Sequence, residues 1–192
     1  MTVRCLLLYL VGASLILPVE VQFAEGAQDT TPQNESERLL DEAIKLRSER
    51  KFAEAYDTAM KAWECAPQDL KDSQDGRLGL AIIQNVLGDL AMQRGMFEEA
   101  VEHQRDSLNL KHTAFPAIAT EGFKGYPAGN QQLVIAHRNL GRALFQVGNY
   151  REAADEYRAA RTMAQNPGSE SEGWLVPNCS LFVSDALLKL GD

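Results

Sequence analysis

The chain has 192 residues, a net charge of -8 and a hydrophobic fraction of 45%. That length suits one globular unit or a short array, and the apolar content excludes global disorder. The acidic balance argues against general nucleic-acid binding, which needs a basic surface to displace counterions, and against anionic membrane surfaces.

The N-terminus reads as an export signal. Arg4 is the only charge before an apolar run from Cys5 to Leu17, which Pro18 ends. Ala24-Glu25-Gly26 then offers small residues at alternate positions, as a signal peptidase requires. The run of 13 residues is shorter than the roughly 20 needed to cross a bilayer. Residues 1–26 are therefore expected to be a signal peptide cut near Gly26, placing the protein in the periplasm or outside the cell with no stable membrane anchor. An anchor left uncleaved is the alternative. Cys65 and Cys179 are the cysteines beyond this segment; they lie far apart in the chain and are expected to be core thiols.

Residues 27–35 are polar and aperiodic, and read as a flexible leader. Ser36 is a plausible N-cap. Leu39, Leu40, Ala43, Ile44 and Leu46 recur at helical spacing and predict a helix over 36–49. A second helix, 52–65, carries Phe52, Ala55, Ala59, Ala62 and Trp63 and stops before Pro67. The next hairpin pairs a helix over 75–94 (Leu78, Ile82, Val86, Leu87, Leu90) with one over 96–111 (Phe97, Ala100, Val101, Leu108). A third pairs 131–147 (Leu133, Ile135, Ala136, Leu140, Leu144, Phe145) with 149–165 (Tyr150, Ala153, Tyr157, Ala160). A seventh helix, 174–190, carries Leu175, Leu181, Phe182, Ala186, Leu187 and Leu190.

Around the turns the same pattern returns. It reads Arg50-Lys51-Phe52-Ala53-Glu54-Ala55, then Gly95-Met96-Phe97-Glu98-Glu99-Ala100, then Gly148-Asn149-Tyr150-Arg151-Glu152-Ala153. Leu87-Gly88 and Leu140-Gly141 each stand seven residues ahead of the turn glycine. A glycine inside a helix costs about 1 kcal/mol relative to alanine, a cost that makes sense where a neighbouring helix must come close. Ala55, Ala100 and Ala153 allow the same approach from the other side, and Phe52, Phe97 and Tyr150 fill the wedge beside the turn.

These residues resemble the tetratricopeptide repeat family over about residues 36–191. The resemblance rests on the Leu-Gly pairs, the aromatic after the turn, the alanine three residues later, and Pro67. It implies an all-α, right-handed solenoid of stacked helical hairpins, about three and a half repeats long: 36–67, 75–112, 131–166 and a half repeat, 174–192. The period departs from the usual ~34 residues. Ala55 to Ala100 spans 45 residues and Ala100 to Ala153 spans 53, so the longer repeats of kinesin-light-chain type are the better comparison. The first hairpin has Glu42-Ala43 in place of Leu-Gly, and the family's usual first-helix tryptophan is absent.

The extra length lies in a loop over 113–129. A loop this long is often functional. Its aromatics Phe115, Phe123 and Tyr126 either engage a partner or fold back over neighbouring helices. The chain stops at Leu190-Gly191-Asp192, with Gly191 in phase with Gly148 and Gly95. The seventh helix is then either a solvating cap or the first half of a hairpin belonging to a longer protein.

No catalytic constellation stands out: the sequence has no phosphate loop, His-Glu-x-x-His, Gly-x-Ser-x-Gly or Cys-x-x-Cys. His103, His112 and His137 read as surface or groove residues, and no metal ligands or cofactor site are expected. Glu98-Glu99, Glu152 and Asp155-Glu156 read as acids complementing helix N-termini. Asn34 and Asn178 match the glycosylation pattern at a frequency that chance supplies.

The groove remains. The resemblance implies that first helices line a concave surface, with Asn85, Asp89 and Gln93 of the second hairpin and Arg138, Arg142 and Gln146 of the third pointing there. Arg138 and Arg142 share one helical face. They either grip a carboxylate or acidic peptide, or pair with Asp89 and its neighbours. The expectation is a non-catalytic scaffold for a protein or peptide, with its oligomeric state open; the alternative is a regulatory segment of a larger protein with an enzymatic domain.

Overall fold

The computed structural model describes residues 32–115, 127–165 and 175–191. Their regular structure is helical: α1 (Pro32–Ser48), α2 (Phe52–Cys65), a 3-10 turn (Gln68–Asp72), α3 (Gln74–Arg94), α4 (Phe97–Ala114), α5 (Pro127–Gln146), α6 (Tyr150–Ala164) and α7 (Leu175–Leu190). Each helix packs on the next in chain order, α1 on α2 through to α6 on α7. This is the arrangement expected of a helical repeat.

The helix ends have local causes. Ser73 caps α3 by accepting the Gly76 amide at 3.0 Å. Ala66 is extended, as the residue before Pro67 must be, and α2 stops there. Each hairpin turn closes with the same bonds. Lys51 N–H donates to Leu46 O, Met96 N–H to Ala91 O and Asn149 N–H to Leu144 O, all at 2.9–3.0 Å. Left-handed backbone lies one residue earlier, at Arg50 (φ 62°), Gly95 (φ 76°) and Gly148 (φ 80°). Glycine enters that region without strain, and arginine does not.

Packing inside the hairpins follows the 45- and 53-residue steps of the sequence. Ser36 Oγ donates to Ala62 O at 2.7 Å, and 45 residues on Ser107 Oγ donates to Ala81 O at 2.8 Å. The hydroxyl comes from opposite partners of the same crossing. Gly88 lies under Gln104 and Gly141 under the Tyr157 ring; a Cβ would come within 2.5 Å and 2.9 Å of them. The corresponding places in α1 and α2 hold Ala43 and Ala59, both fully buried in one cluster. Ala55, Ala100 and Ala153 are also fully buried, so the small residues stand at helix crossings as their spacing implied.

Several expectations need correction. Ser36 is no N-cap: α1 begins at Pro32, within the expected leader, and the Ser36 hydroxyl is buried against α2. A carbonyl left unpaired at a tight crossing is costly, and the hydroxyl satisfies it. The loop over 113–129 is shorter than its glycines suggested. Thr113 and Ala114 complete α4, α5 starts at Pro127, and Phe115 packs against the main core. Phe123, Tyr126, the segment 1–26 and the leader up to residue 31 lie outside the described residues. The 3-10 turn after Pro67 had no periodic signal. Cys65 and Cys179 are free thiols, Cys179 buried with Val134, Ala160 and Ala164.

Candidate functional site

The first helices of successive hairpins are joined by polar contacts along one surface. Asp89 on α3 is the centre. Its Oδ1 accepts from Arg142 of α5 at 2.6 Å, and its Oδ2 lies 3.6 Å from Arg47 of α1. One turn earlier, Asn85 Oδ1 accepts from Asn139 Nδ2 at 2.9 Å. Asn139 Oδ1 in turn accepts from the Arg138 guanidinium at 3.2 Å.

Four of the six residues that the resemblance placed in the groove are therefore brought together: Asn85, Asp89, Arg138 and Arg142. Gln93 and Gln146 are exposed further along the same helices. Of the two alternatives for the arginines, pairing holds for Arg142. Asp89 is its partner, so a ligand carboxylate at this point would compete with a carboxylate already present. Arg138 is half-buried, and burial and then the Arg142 charge push its pKa below the usual arginine value.

Three contributors were missed. Arg47 sits in the last turn of α1, at a repeat position where α3 carries Met92, so its phase gave no warning. Asn139 falls where α3 carries the buried Val86 and is itself only 4% exposed. A polar residue on an apolar phase was the available signal. Lys111 is 2% exposed and stands at the position of buried Ala66, just past the end of α2, and of buried Ala164 at the end of α6. Burial pushes its ammonium down to about 8, opposed by the charge of Asp89.

A surface or groove position was expected of all three histidines; His103 and His112 are half-buried, and His137 is buried. His137 is 8% exposed. Its Nδ1 lies 2.6 Å from Glu156 Oε2, and its Nε2 is buried without a partner among the described residues. The His112 ring meets His137 edge to face at 5.5 Å. Burial lowers the His112 pKa, and the neighbouring His137 lowers it further. One repeat earlier, the places of His137 and Glu156 hold Gln84 and His103. His103 Nδ1 lies 2.8 Å from Gln84 Oε1 and its Nε2 3.0 Å from the Tyr56 hydroxyl. Glu156 thus bonds across a helix crossing, where a helix-terminal role was expected, and its pairing with His137 is a tertiary contact. Among the described residues no group of three or more His, Cys, Asp or Glu side chains is placed to hold a metal ion, and no helix is long and apolar enough to cross a membrane.

No protein-family model matches this chain, and no curated protein does either.

Proposed function

We propose that the chain is a non-catalytic binding scaffold of tetratricopeptide type, a right-handed solenoid of about three and a half hairpins that holds a protein or peptide. The observation that carries this reading is the recurrence of one set of crossings at the 45- and 53-residue steps: Ser36 with Ala62 and Ala81 with Ser107; Gly88 with Gln104 and Gly141 with Tyr157. A repeat that stacks its first helices side by side produces one long polar surface, and such surfaces are used to hold extended partners. With residues 1–26 as an export signal, the partner is met in the periplasm or outside the cell.

The ligand chemistry follows from Asp89. Arg47, Arg138 and Arg142 surround this single acid on a protein of net negative charge. An acidic peptide, or a peptide ending in a free carboxylate, is the partner such a surface favours, and Asp89 limits its affinity. Fluorescence anisotropy with an acidic peptide carrying a free or an amidated C-terminus tests this. The free acid is expected to bind more tightly, Asp89→Asn to tighten it further by releasing Arg142, and Arg138→Ala with Arg142→Ala to weaken it and flatten its salt dependence. Equal affinity of the double variant and the parent at low salt would remove this surface from consideration.

A further inference from the structure

We propose that the Lys111 ammonium receives the carboxylate of the peptide held along the first helices. The inference rests on the binding reading above and names the group within it that takes the ligand's charge.

Gln104, Ser107 and Lys111 stand three and four residues apart on one stripe of α4, the side laid against α3. The first two are satisfied there. Gln104 Nε2 donates to Asn85 O at 3.2 Å, and Ser107 Oγ to Ala81 O at 2.8 Å. Lys111 breaks the series. The residue is 2% exposed, and no acceptor among the described residues bonds its ammonium. The charge acting on it is that of Asp89, felt through space. Asp89 itself is committed to Arg142 at 2.6 Å and to Arg47 at 3.6 Å. Among the described residues, the polar side-chain atoms wholly enclosed without a partner are Arg77 Nε, Gln104 Oε1 and His137 Nε2. The Lys111 ammonium is not one of them, so the small area left open on this residue includes its charged end.

A lysine in such a place is costly. The neighbouring hairpins have buried Ala66 and Ala164 at the same position, and burial brings the ammonium down to about 8. An apolar stem would fill the space without that cost. A carboxylate arriving through the opening offsets it, because it supplies both the missing acceptor and the opposite charge. Arg142 must give up Asp89 to bind a ligand carboxylate, whereas Lys111 has no bond to give up. The arginines around Asp89 then attract the acidic peptide, and Lys111 holds one of its carboxylates.

Fluorescence anisotropy on the full chain, with an N-acetylated acidic peptide bearing a free C-terminus, tests this between pH 6.5 and 9.5. Near pH 8 the free protein loses the Lys111 proton, and in the complex the carboxylate retains it. Binding therefore takes up a proton above pH 8, and affinity falls as pH rises. The Kd is expected to be level up to pH 7.5 and at least roughly tenfold higher at pH 9.5. Asp89 on α3, Arg138, Arg142 and His137 on α5, and His112 on α4 belong to classes that change charge outside that upper interval. Lys111→Met should bind at least roughly tenfold more weakly at pH 7 and lose the pH dependence. Its urea midpoint, expected above the parent's, separates lost binding from lost folding. A parent that binds equally at pH 7 and 9.5, or a Lys111→Met variant that binds as tightly as the parent, overturns the proposal and leaves the arginine surface standing. Binding lost in Lys111→Met and kept in the double arginine variant upholds Lys111 and removes the arginines. A peptide that binds at no pH overturns both.

Discussion

Replacing Lys111 by Met is expected to stabilise the protein, and the gain should vanish at high pH. The Lys111 stem fills a place that alanine occupies in the neighbouring hairpins, and its ammonium is carried into the interior at 2% exposure. Asp89, the carboxylate acting on it, is committed to Arg142 and Arg47. Burial lowers the pKa from 10.5 to about 8. At about 1.4 kcal/mol per pKa unit, that shift corresponds to a penalty of about 3 kcal/mol at neutral pH. Below pH 8 both folded and unfolded chains keep the proton, and the full penalty applies. Between pH 8 and 10.5 the unfolded chain holds a proton that the folded chain has lost, so this contribution to stability rises with pH by about 1.4 kcal/mol per unit. Above 10.5 neither state is charged and the penalty is gone. Met keeps the length of the stem without the charge. Urea unfolding of parent and Lys111→Met at pH 7, 8.5 and 10 measures the difference. Burial raises Tyr157 to about 12 and also raises the Cys179 thiol; both oppose the trend above their ordinary values, and both cancel between parent and variant. A gain of about 3 kcal/mol at pH 7 that shrinks steadily toward pH 10 is expected. Equal stability at pH 7, or a gain independent of pH, would refute the reasoning.

Two further outcomes follow from the crossings and turns. Ala100→Leu and Ala153→Leu should each destabilise by about 1–3 kcal/mol, because neither site has room for added methylenes; melting temperatures equal to the parent's would show that the helices do not cross there. Arg50→Gly should stabilise by about 1 kcal/mol by relieving the left-handed backbone that Gly95 and Gly148 adopt without strain; a lower urea midpoint would show that the Arg50 side chain contributes more than its backbone loses.

The helices, their order and the positions of the small residues were legible in the sequence. Each depends on periodicity within a few turns, on a turn glycine, or on a proline that removes a donor, and these act through the chain's own neighbours. Gly88 and Gly141 could be read as close approaches because their phase was shared. What the sequence left open was decided by distance in space. Whether Arg142 stayed available or paired with Asp89 depended on how α3 and α5 sit side by side, 53 residues apart. Ser36 looked like a helix start because a hydroxyl before an apolar run commonly caps one; the structure instead needed it to satisfy a carbonyl at the crossing with α2. His137 read as a surface or groove residue and Glu156 as an acid complementing a helix N-terminus, because the two are 19 residues apart in the chain and nothing local marks them as partners. Lys111 was invisible for the same reason: its burial comes from packing between helices, and a lysine at helical spacing carries no mark of which side of the helix will be covered. Local patterning determines which elements form and where they turn, since it acts within single helices. Only tertiary packing decides which charges meet, because that energy depends on a distance the chain must fold to create.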